Sequence, residues 1–144
     1  MSKFRIIILL ITVFTLLNSC GKDRRYTKHL DGVWRLTKMV KNGEEVNVSK
    51  LKIELETTLS YPNIGETFAN YYEKETLADN TVNEENYDVQ ITISNKGKTM
   101  TFDYEYGTLS EFIEVYDIID FSRNKFEIKF VGEENYYTFE KLKL

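Results

Sequence analysis

Apolar residues occupy every second position in several segments of the chain, a pattern that predicts β-strands with one buried face. The most regular segment covers residues 87–94, where Tyr, Val and Ile alternate with Asp, Gln, Thr and Ser. Turn residues at 95–98 separate it from residues 100–106, where Met, Phe and Tyr alternate with Thr, Asp and Glu. These two segments therefore predict an antiparallel hairpin.

Shorter patterns in the first half of the chain predict three more strands. The first strand is expected over residues 34–40, because it precedes Asn42-Gly43, a dipeptide typical of a type I′ hairpin turn. Alternation resumes over residues 50–58 and stops at the turn 61–65, which contains the only proline. Residues 67–76 are aromatic enough for a third strand.

The second half predicts three further strands, over residues 111–121, 126–130 and 136–144. Segment 111–121 carries apolar residues at both parities, which predicts that its outer face is also covered, by the amino-terminal part of the domain. The polar stretch 78–86 is expected to be the longest loop. The total is eight strands, and none of the connections is a helix long enough to cross over a parallel sheet.

Eight antiparallel strands in simple order leave two exposed edges unless the sheet closes. We therefore predict an all-β fold, an eight-stranded antiparallel up-and-down β-barrel, with a β-sandwich as the alternative. Tyr26 and Leu30, four positions apart, predict a short helical turn before the first strand.

The amino terminus has the layout of an export signal. Lys3 and Arg5 precede an apolar run over residues 6–17, which is shorter than the roughly 20 residues that a membrane-spanning helix needs. The only cysteine follows this run, and Leu17-Asn18-Ser19-Cys20 resembles the lipobox of bacterial lipoproteins. This resemblance implies cleavage before Cys20 and its acylation; the alternative is an ordinary signal peptide followed by an incidental thiol. The expected organisation is a signal peptide (1–19), a lipidated cysteine and tether (20–29) and the barrel (30–144).

Charge narrows the range of partners. Cleavage would remove two of the 19 cations and none of the 23 acids, so the remaining 125 residues would carry a formal charge of −6. Nucleic-acid binding is not expected of such a body, because it needs a concentrated basic surface. Membrane contact is expected through acyl chains on Cys20 alone.

Three segments resemble lipocalin-like domains of bacterial lipoproteins, most of them from Bacteroidetes. Residues 30–36 (LDGVWRL) resemble their L-x-G-x-W-x-L opening, residues 116–128 resemble one of their hairpins, and residues 137–141 resemble their last strand. The resemblance implies a lipocalin-like barrel held in the bacterial cell envelope, at the outer membrane. It also implies that Trp34 closes the narrow end of the barrel, with Lys141 or Lys143 where the family has an arginine.

Catalytic and metal-binding chemistry finds little support in the sequence. There is one histidine, His29, and no G-x-S-x-G elbow, so no nucleophilic triad is expected. The acidic pairs Asp103/Glu105 and Glu133/Glu134 are read as surface charge rather than as a carboxylate-based hydrolase. The alternating oxygen-bearing residues 79–85 lack the turn glycine of a calcium loop. We expect no enzyme activity, no metal and no cofactor.

The remaining functional candidate is the barrel interior. A non-enzymatic module that binds a small hydrophobic molecule is expected, with a filled barrel that interacts with or inhibits an unidentified protein through its rim loops as the alternative. An interior void would discriminate between the two. The candidate ligand-binding residues are Trp34, Tyr87, Val89, Ile91, Phe102, Tyr104, Phe126, Ile128 and Phe130.

Overall fold

The computed structural model describes residues 21–104 and 112–143. The expected signal peptide, the lipid anchor Cys20, and Glu105 and Tyr106 at the end of one predicted strand lie outside these residues. The elements are a helix α1 (Gly21–His29), a 3₁₀ turn (Val48–Lys50) and the strands β1 (Val33–Lys41), β2 (Glu44–Val46), β3 (Leu51–Tyr61), β4 (Glu66–Thr76), β5 (Val82–Ser94), β6 (Thr99–Asp103), β7 (Ile113–Phe121), β8 (Lys125–Phe130) and β9 (Tyr136–Lys141).

The sheet closes into an eight-stranded antiparallel barrel, which confirms the predicted fold over the sandwich. From β3 to β9, each strand pairs with the next strand of the chain, and β9 returns to pair with β1 from Trp34↔Lys141 to Val40↔Tyr136. The other edge of β1 pairs with β3 at one end and with the short β2 at the other. The β1–β2 turn has positive φ at both Asn42 (52°) and Gly43 (82°), as the type I′ prediction requires.

Alternate side chains of the strands point inward and form one hydrophobic core. Trp34 and Phe126 are the largest of the fully buried side chains, and Leu55, Ile91 and Val89 pack with them. This core fills one half of the barrel and leaves the other half to a cavity described below.

The segment predicted to be the longest loop is mostly strand. β4 and β5 form a long hairpin paired from Glu66↔Thr92 to Thr76↔Val82, and only residues 77–81 turn, with Asn80 at φ 65°. The loop prediction was wrong because both faces of this hairpin are polar at its end, so its sequence has no hydrophobic alternation. Cross-strand contacts stabilise it instead: Tyr72 donates a hydrogen bond of 2.9 Å to Glu84.

The outer face of β7 is not covered, which contradicts the prediction made for residues 111–121. Ile113, Val115 and Ile119 are exposed. A register shift between Ile118 and Asp120 inserts Ile119 as a bulge, so Phe121 joins the inner face of the strand. The apolar residues at both odd and even positions of this segment are therefore explained by a bulge and by exposed side chains, and not by two buried faces.

Residues 21–29, expected as a tether with one helical turn, form the continuous helix α1 and pack against one end of the barrel. Tyr26 stacks on Phe121 with ring centroids 4.3 Å apart, and Thr27 is fully buried with its hydroxyl donating to the Asp23 carbonyl at 2.7 Å. The Asp23 carboxylate accepts a hydrogen bond from the Gly97 amide in the β5–β6 turn. These contacts make the helix a lid on the closed end.

Candidate functional site

The two ends of the barrel differ in how they are filled. At the closed end the Trp34 indole donates from Nε1 to the Leu30 carbonyl at 2.8 Å, and the Thr57 hydroxyl donates to the same carbonyl at 2.7 Å. The Phe126 ring packs edge-on against Trp34, with 4.9 Å between centroids. Trp34 therefore plugs this end, as the resemblance implied, and leaves no room for a ligand there.

Of the two lysines considered for the place over Trp34, Lys141 occupies it. Its Nζ lies 5.3 Å from the centre of the indole and donates to the His29 carbonyl at 3.3 Å. Gly32, with φ 121°, makes room for this lysine, because a Cβ at Gly32 would stand 2.5 Å from the lysine Cε. A cation therefore lies over the Trp34 ring, in space that the missing side chain of Gly32 leaves free.

The open end contains a cavity of about 580 Å³, which we call the cup. This size lies within the range of about 300–1,000 Å³ that is usual for small-molecule sites. The cup is lined by Met39, Lys41, Val46, Leu51, Ile53, Tyr71, Glu73, Glu75, Tyr87, Phe102, Tyr104, Phe112, Glu114, Tyr116, Ile128, Tyr137 and Phe139. Its position follows from strand alternation, because these inward positions lie nearer the open end than the core residues on the same strands.

Aromatic rings make up much of the cup wall and contact one another edge to face. Tyr104 lies at the centre of this arrangement, with its ring centroid 5.7 Å from that of Tyr71 and 6.3 Å from that of Tyr87. Tyr116 packs against Phe102 at 5.3 Å in a similar T-shaped contact. Edge-to-face packing stabilises such pairs and holds the rings at fixed angles. The wall is thus a rigid surface that presents both faces and edges of aromatic rings.

Glu114 organises the polar part of the cup. Its Oε2 accepts hydrogen bonds from the hydroxyls of Tyr104 at 2.9 Å and of Tyr116 at 2.7 Å. Burial, together with the negative charge and hydrogen bonding of Glu114, raises the pKa of both phenols far above their ordinary value. Tyr71 donates similarly to Glu73 at 2.9 Å. The phenols therefore stay protonated at neutral pH and direct their hydrogens at carboxylates.

The charges of the cup are not balanced. Of the described residues, three carboxylates line it, those of Glu73, Glu75 and Glu114, together with one cation, Lys41. Among the described residues, none of these four side chains is in an ion pair. On the outer surface the carboxylates include paired ones such as Glu54. Although its partial burial acts in the opposite direction, hydrogen bonds from Arg35 and Lys52 hold the pKa of Glu54 below its ordinary value.

The structure divides the nine sequence-predicted interior residues between the cup and the core. Four line the cup, namely Tyr87, Phe102, Tyr104 and Ile128, and of these Phe102 and Ile128 also belong to the buried core. Trp34, Val89, Ile91 and Phe126 belong instead to the packed core, and Phe130 lies beside Tyr116 without lining the cup.

Sequence reasoning missed the polar and aromatic residues that give the cup its character. Tyr71 was hidden in a segment with poor alternation, and Tyr116 was assigned to a strand expected to be buried on both faces. Glu73 and Glu114 share inward parity with these tyrosines, at two positions' distance. This shared parity is the signal in the sequence that could identify them, although carboxylates usually face solvent.

His29 lies at the closed end, far along the barrel from the cup. Its Nδ1 is buried and has no hydrogen-bond partner among the described residues. Burial lowers the pKa of His29, and the charges of Arg123, Arg25 and Lys141 lower it further. His29 is therefore a half-buried side chain among cations at the closed end.

Residues 21–104 and 112–143 contain no group of three or more His, Cys, Asp or Glu side chains that could hold a metal ion. No helix within them is both long and apolar enough to cross a bilayer. Glu133 and Glu134, one of the two weighed acidic pairs, lie in an exposed turn where Glu134 pairs with Lys129 at 2.6 Å.

Comparison with known proteins identifies similar folds only. No protein-family model and no curated protein matches the chain. A redesigned β-barrel superposes with a TM-score of 0.54 at 15% identity, covering 83% of this chain and 96% of the barrel. A lipocalin-like protein from Bacteroides uniformis ATCC 8492 gives 0.48 at 13% identity, covering 79% of this chain and 99% of its own. A redesigned β-barrel bound to DFHBI gives 0.47 at 12% identity, covering 82% and 99%. The first of these supports the closed β-barrel fold.

Proposed function

We propose that this protein is a non-enzymatic binding module of the bacterial cell envelope that holds a small, largely apolar molecule in its cup. The observation that carries the proposal is the difference between the ends of the barrel. One end is plugged by Trp34 and covered by α1, whereas the other encloses about 580 Å³. Concave, mostly apolar cavities with a few converging polar groups are the usual form of small-molecule sites.

The cup supports this function better than the filled-barrel alternative. A barrel that acts only through its rim has no need of an interior void, and Met39, Leu51 and Ile53 offer apolar walls deep enough for a ligand to leave water. The tyrosines add rings that bind apolar groups and hydroxyls that fix orientation. These features support binding of one molecule of moderate size.

The test is to extract purified protein with organic solvent and analyse the extract by mass spectrometry, comparing two tryptophan variants. Leu51→Trp places a large ring inside the cup, and Leu59→Trp places the same ring on the outside of the same strand, where Leu59 is half exposed. We expect a defined small molecule from the parent and from Leu59→Trp, and its loss from Leu51→Trp. A parent that is consistently empty, or a molecule retained equally by Leu51→Trp, contradicts the proposal.

We further propose that acyl chains on Cys20 anchor the barrel to the outer membrane. Cys20 directly precedes α1, which covers the closed end. An anchor at this point would hold the closed end towards the membrane and leave the cup facing away, open to ligand. One acyl chain holds a protein only marginally, whereas two or three hold it stably, which suits a lipoprotein.

The charge of the closed end supports the same orientation. A shallow basic surface there is lined by Arg24, Arg25, Lys28, His29, Arg123 and Lys141. The net charge of the mature chain predicted no attraction to anionic headgroups, but the structure gathers these cations at the end next to Cys20. Basic side chains near a membrane surface contribute about 1 kcal/mol each to its attraction. Acyl chains and a basic surface together would then keep the closed end of the barrel directed towards the membrane.

The anchor is tested by fractionating cells that produce the parent or Cys20→Ala. We expect the parent in the membrane fraction and Cys20→Ala mainly in the soluble fraction, because the basic surface alone is too weak for stable attachment. Metabolic labelling with a fatty acid should mark the parent and not the variant. Equal membrane recovery of both forms contradicts the anchor.

A further inference from the structure

The cup carries features that a purely hydrophobic ligand does not use. Glu73 and Glu114 hold their carboxylates inside the barrel mouth, and both accept hydrogen bonds from cup tyrosines. Glu73 also lies directly opposite Glu85 on the neighbouring strand, so like charges face each other. Removing charge from water is unfavourable, and placing like charges together adds to the cost. A barrel built for a neutral ligand would gain stability by losing these groups.

The hydrogen-bond directions in the cup favour one sign of ligand charge. The hydroxyl hydrogens of Tyr104 and Tyr116 both point at the same oxygen, Oε2 of Glu114. Among the described residues, the other oxygen of Glu114 accepts no hydrogen bond, and it remains as an acceptor. Beside Glu114, a ligand therefore meets carboxylate and phenol oxygens whose free lone pairs accept but do not donate. In the part of the lining that the structure describes, an anionic ligand would find one positively charged partner, Lys41.

The aromatic wall favours the same sign. The rings of Tyr71, Tyr87 and Tyr104 meet at angles of 38° to 86° with centroids about 6 Å apart, so their faces turn in different directions around one space. The face of an aromatic ring carries partial negative charge and attracts cations, most strongly where water is excluded. Rings arranged around a space, with carboxylates beside them, are the usual means of binding an alkylated ammonium group.

We propose that the cup binds an organic cation, an amine or quaternary ammonium group attached to an apolar body. The charged group lies beside Glu114 and the tyrosine rings, and the apolar body contacts the buried wall of Met39, Ile53 and Phe139. This inference rests on the proposed function, since it specifies the class of molecule that the cup binds. It replaces the expectation of a simply hydrophobic ligand with one of defined charge.

The test is isothermal titration calorimetry of the full mature chain with three naphthalene probes of similar size and different charge. These are 2-naphthylmethylammonium, 2-naphthalenemethanol and 2-naphthoate. We expect the cation to bind at least tenfold more tightly than the neutral alcohol, and the anion to bind most weakly. Raising the salt concentration should weaken cation binding and leave the alcohol unchanged.

Two variants locate the charge responsible. Glu114→Gln keeps the size of the side chain and an oxygen that accepts from the tyrosines, but removes the charge; it should weaken cation binding about tenfold and change alcohol binding less than threefold. Glu56→Gln, on the outer face of β3, is the matched control and should bind all three probes like the parent. If thermal melts show that Glu114→Gln does not fold, Glu73→Gln takes its place, with the same expected direction.

The possible results distinguish failure of this inference from failure of the proposed binding function on which it rests. If no probe binds the parent at any charge, the proposed binding function of the cup fails. If the alcohol or the naphthoate binds as tightly as the cation, the cup binds ligands but the inferred preference is wrong. Equal loss of cation binding in Glu114→Gln and in the Glu56→Gln control also contradicts the inference, because the charge would then act from a distance.

Discussion

The carbonyl oxygen of Leu30 provides a quantitative test of how the closed end is stabilised. It lies on a buried residue and accepts two side-chain hydrogen bonds, from the Trp34 indole at 2.8 Å and the Thr57 hydroxyl at 2.7 Å. Among the described residues it has no other donor. Trp34→Phe removes the first donor and Thr57→Val removes the second, so each single variant leaves the carbonyl satisfied and the double variant leaves it with no partner.

The expected free energies of unfolding follow from this arrangement. Thr57→Val should cost about 0.5–1.5 kcal/mol for one lost hydrogen bond. Trp34→Phe should cost more, roughly 1–3 kcal/mol, because the smaller ring also leaves a cavity beside Phe126. The double variant should exceed the sum of the two by about 1–3 kcal/mol, the penalty of a buried carbonyl without a donor. For a body of this size each kcal/mol lowers Tm by about 3–6 °C.

The assay is urea unfolding of the four proteins followed by far-ultraviolet circular dichroism, which does not depend on the tryptophan that is removed. The double-mutant cycle gives the coupling energy directly, provided that the slope of the transition is the same in all four. If the losses of stability in the two single variants add up to the loss in the double variant to within about 0.5 kcal/mol, the reasoning is refuted, because the carbonyl would then have another donor.

Two other properties of the closed end follow from its geometry. The folded protein lowers the pKa of His29, so that as pH decreases the unfolded chain binds a proton at this residue before the folded protein does. The free energy of unfolding should therefore fall as pH decreases below about 6.5. His29→Gln should remove this part of the fall, as measured by urea midpoints between pH 7.5 and 5.5. A parent and variant with the same pH dependence would contradict this assignment. Gly32→Ala should destabilise more than Gly43→Ala in the same assay, because both residues have positive φ but only Gly32 has a side chain, that of Lys141, in the space of the added methyl group. Equal losses of stability in Gly32→Ala and Gly43→Ala would mean that the Lys141 side chain moves aside without a free-energy cost.

The sequence predicted the strands of the barrel wherever only one face is buried. In residues 87–94 alternation and turn residues agree, and β5 and β6 pair there as the predicted antiparallel hairpin. At residues 82–86 the same strand continues outside the barrel with both faces exposed, and without a buried face no periodicity marks it. At Ile119 a single inserted residue changes parity, and a bulge has no hydrophobic signature that distinguishes it from a covered strand.

The candidate site was predicted in part, for a related reason. Parity states which face of the strand a residue occupies, but it does not state how far along the barrel axis the residue lies. Tyr87 and Val89 share a face and are about 7 Å apart along β5. One lines the cup and the other is fully buried in the core. Which end is closed depends on Trp34, Leu30 and α1, contacts between segments distant in sequence.

This separation of the two ends predicts that stability and binding respond in opposite directions to a change in the cup. The closed half has apolar packing and a Leu30 carbonyl that accepts two hydrogen bonds, whereas the cup places Glu73 opposite Glu85. Glu73→Gln should therefore raise the free energy of unfolding by about 0.2–1 kcal/mol, since like charges on paired positions repel. The same variant should weaken binding of the naphthyl ammonium probe. A variant that loses both stability and affinity would show that Glu73 is a structural acceptor for Tyr71 rather than part of a charged site maintained at the expense of stability.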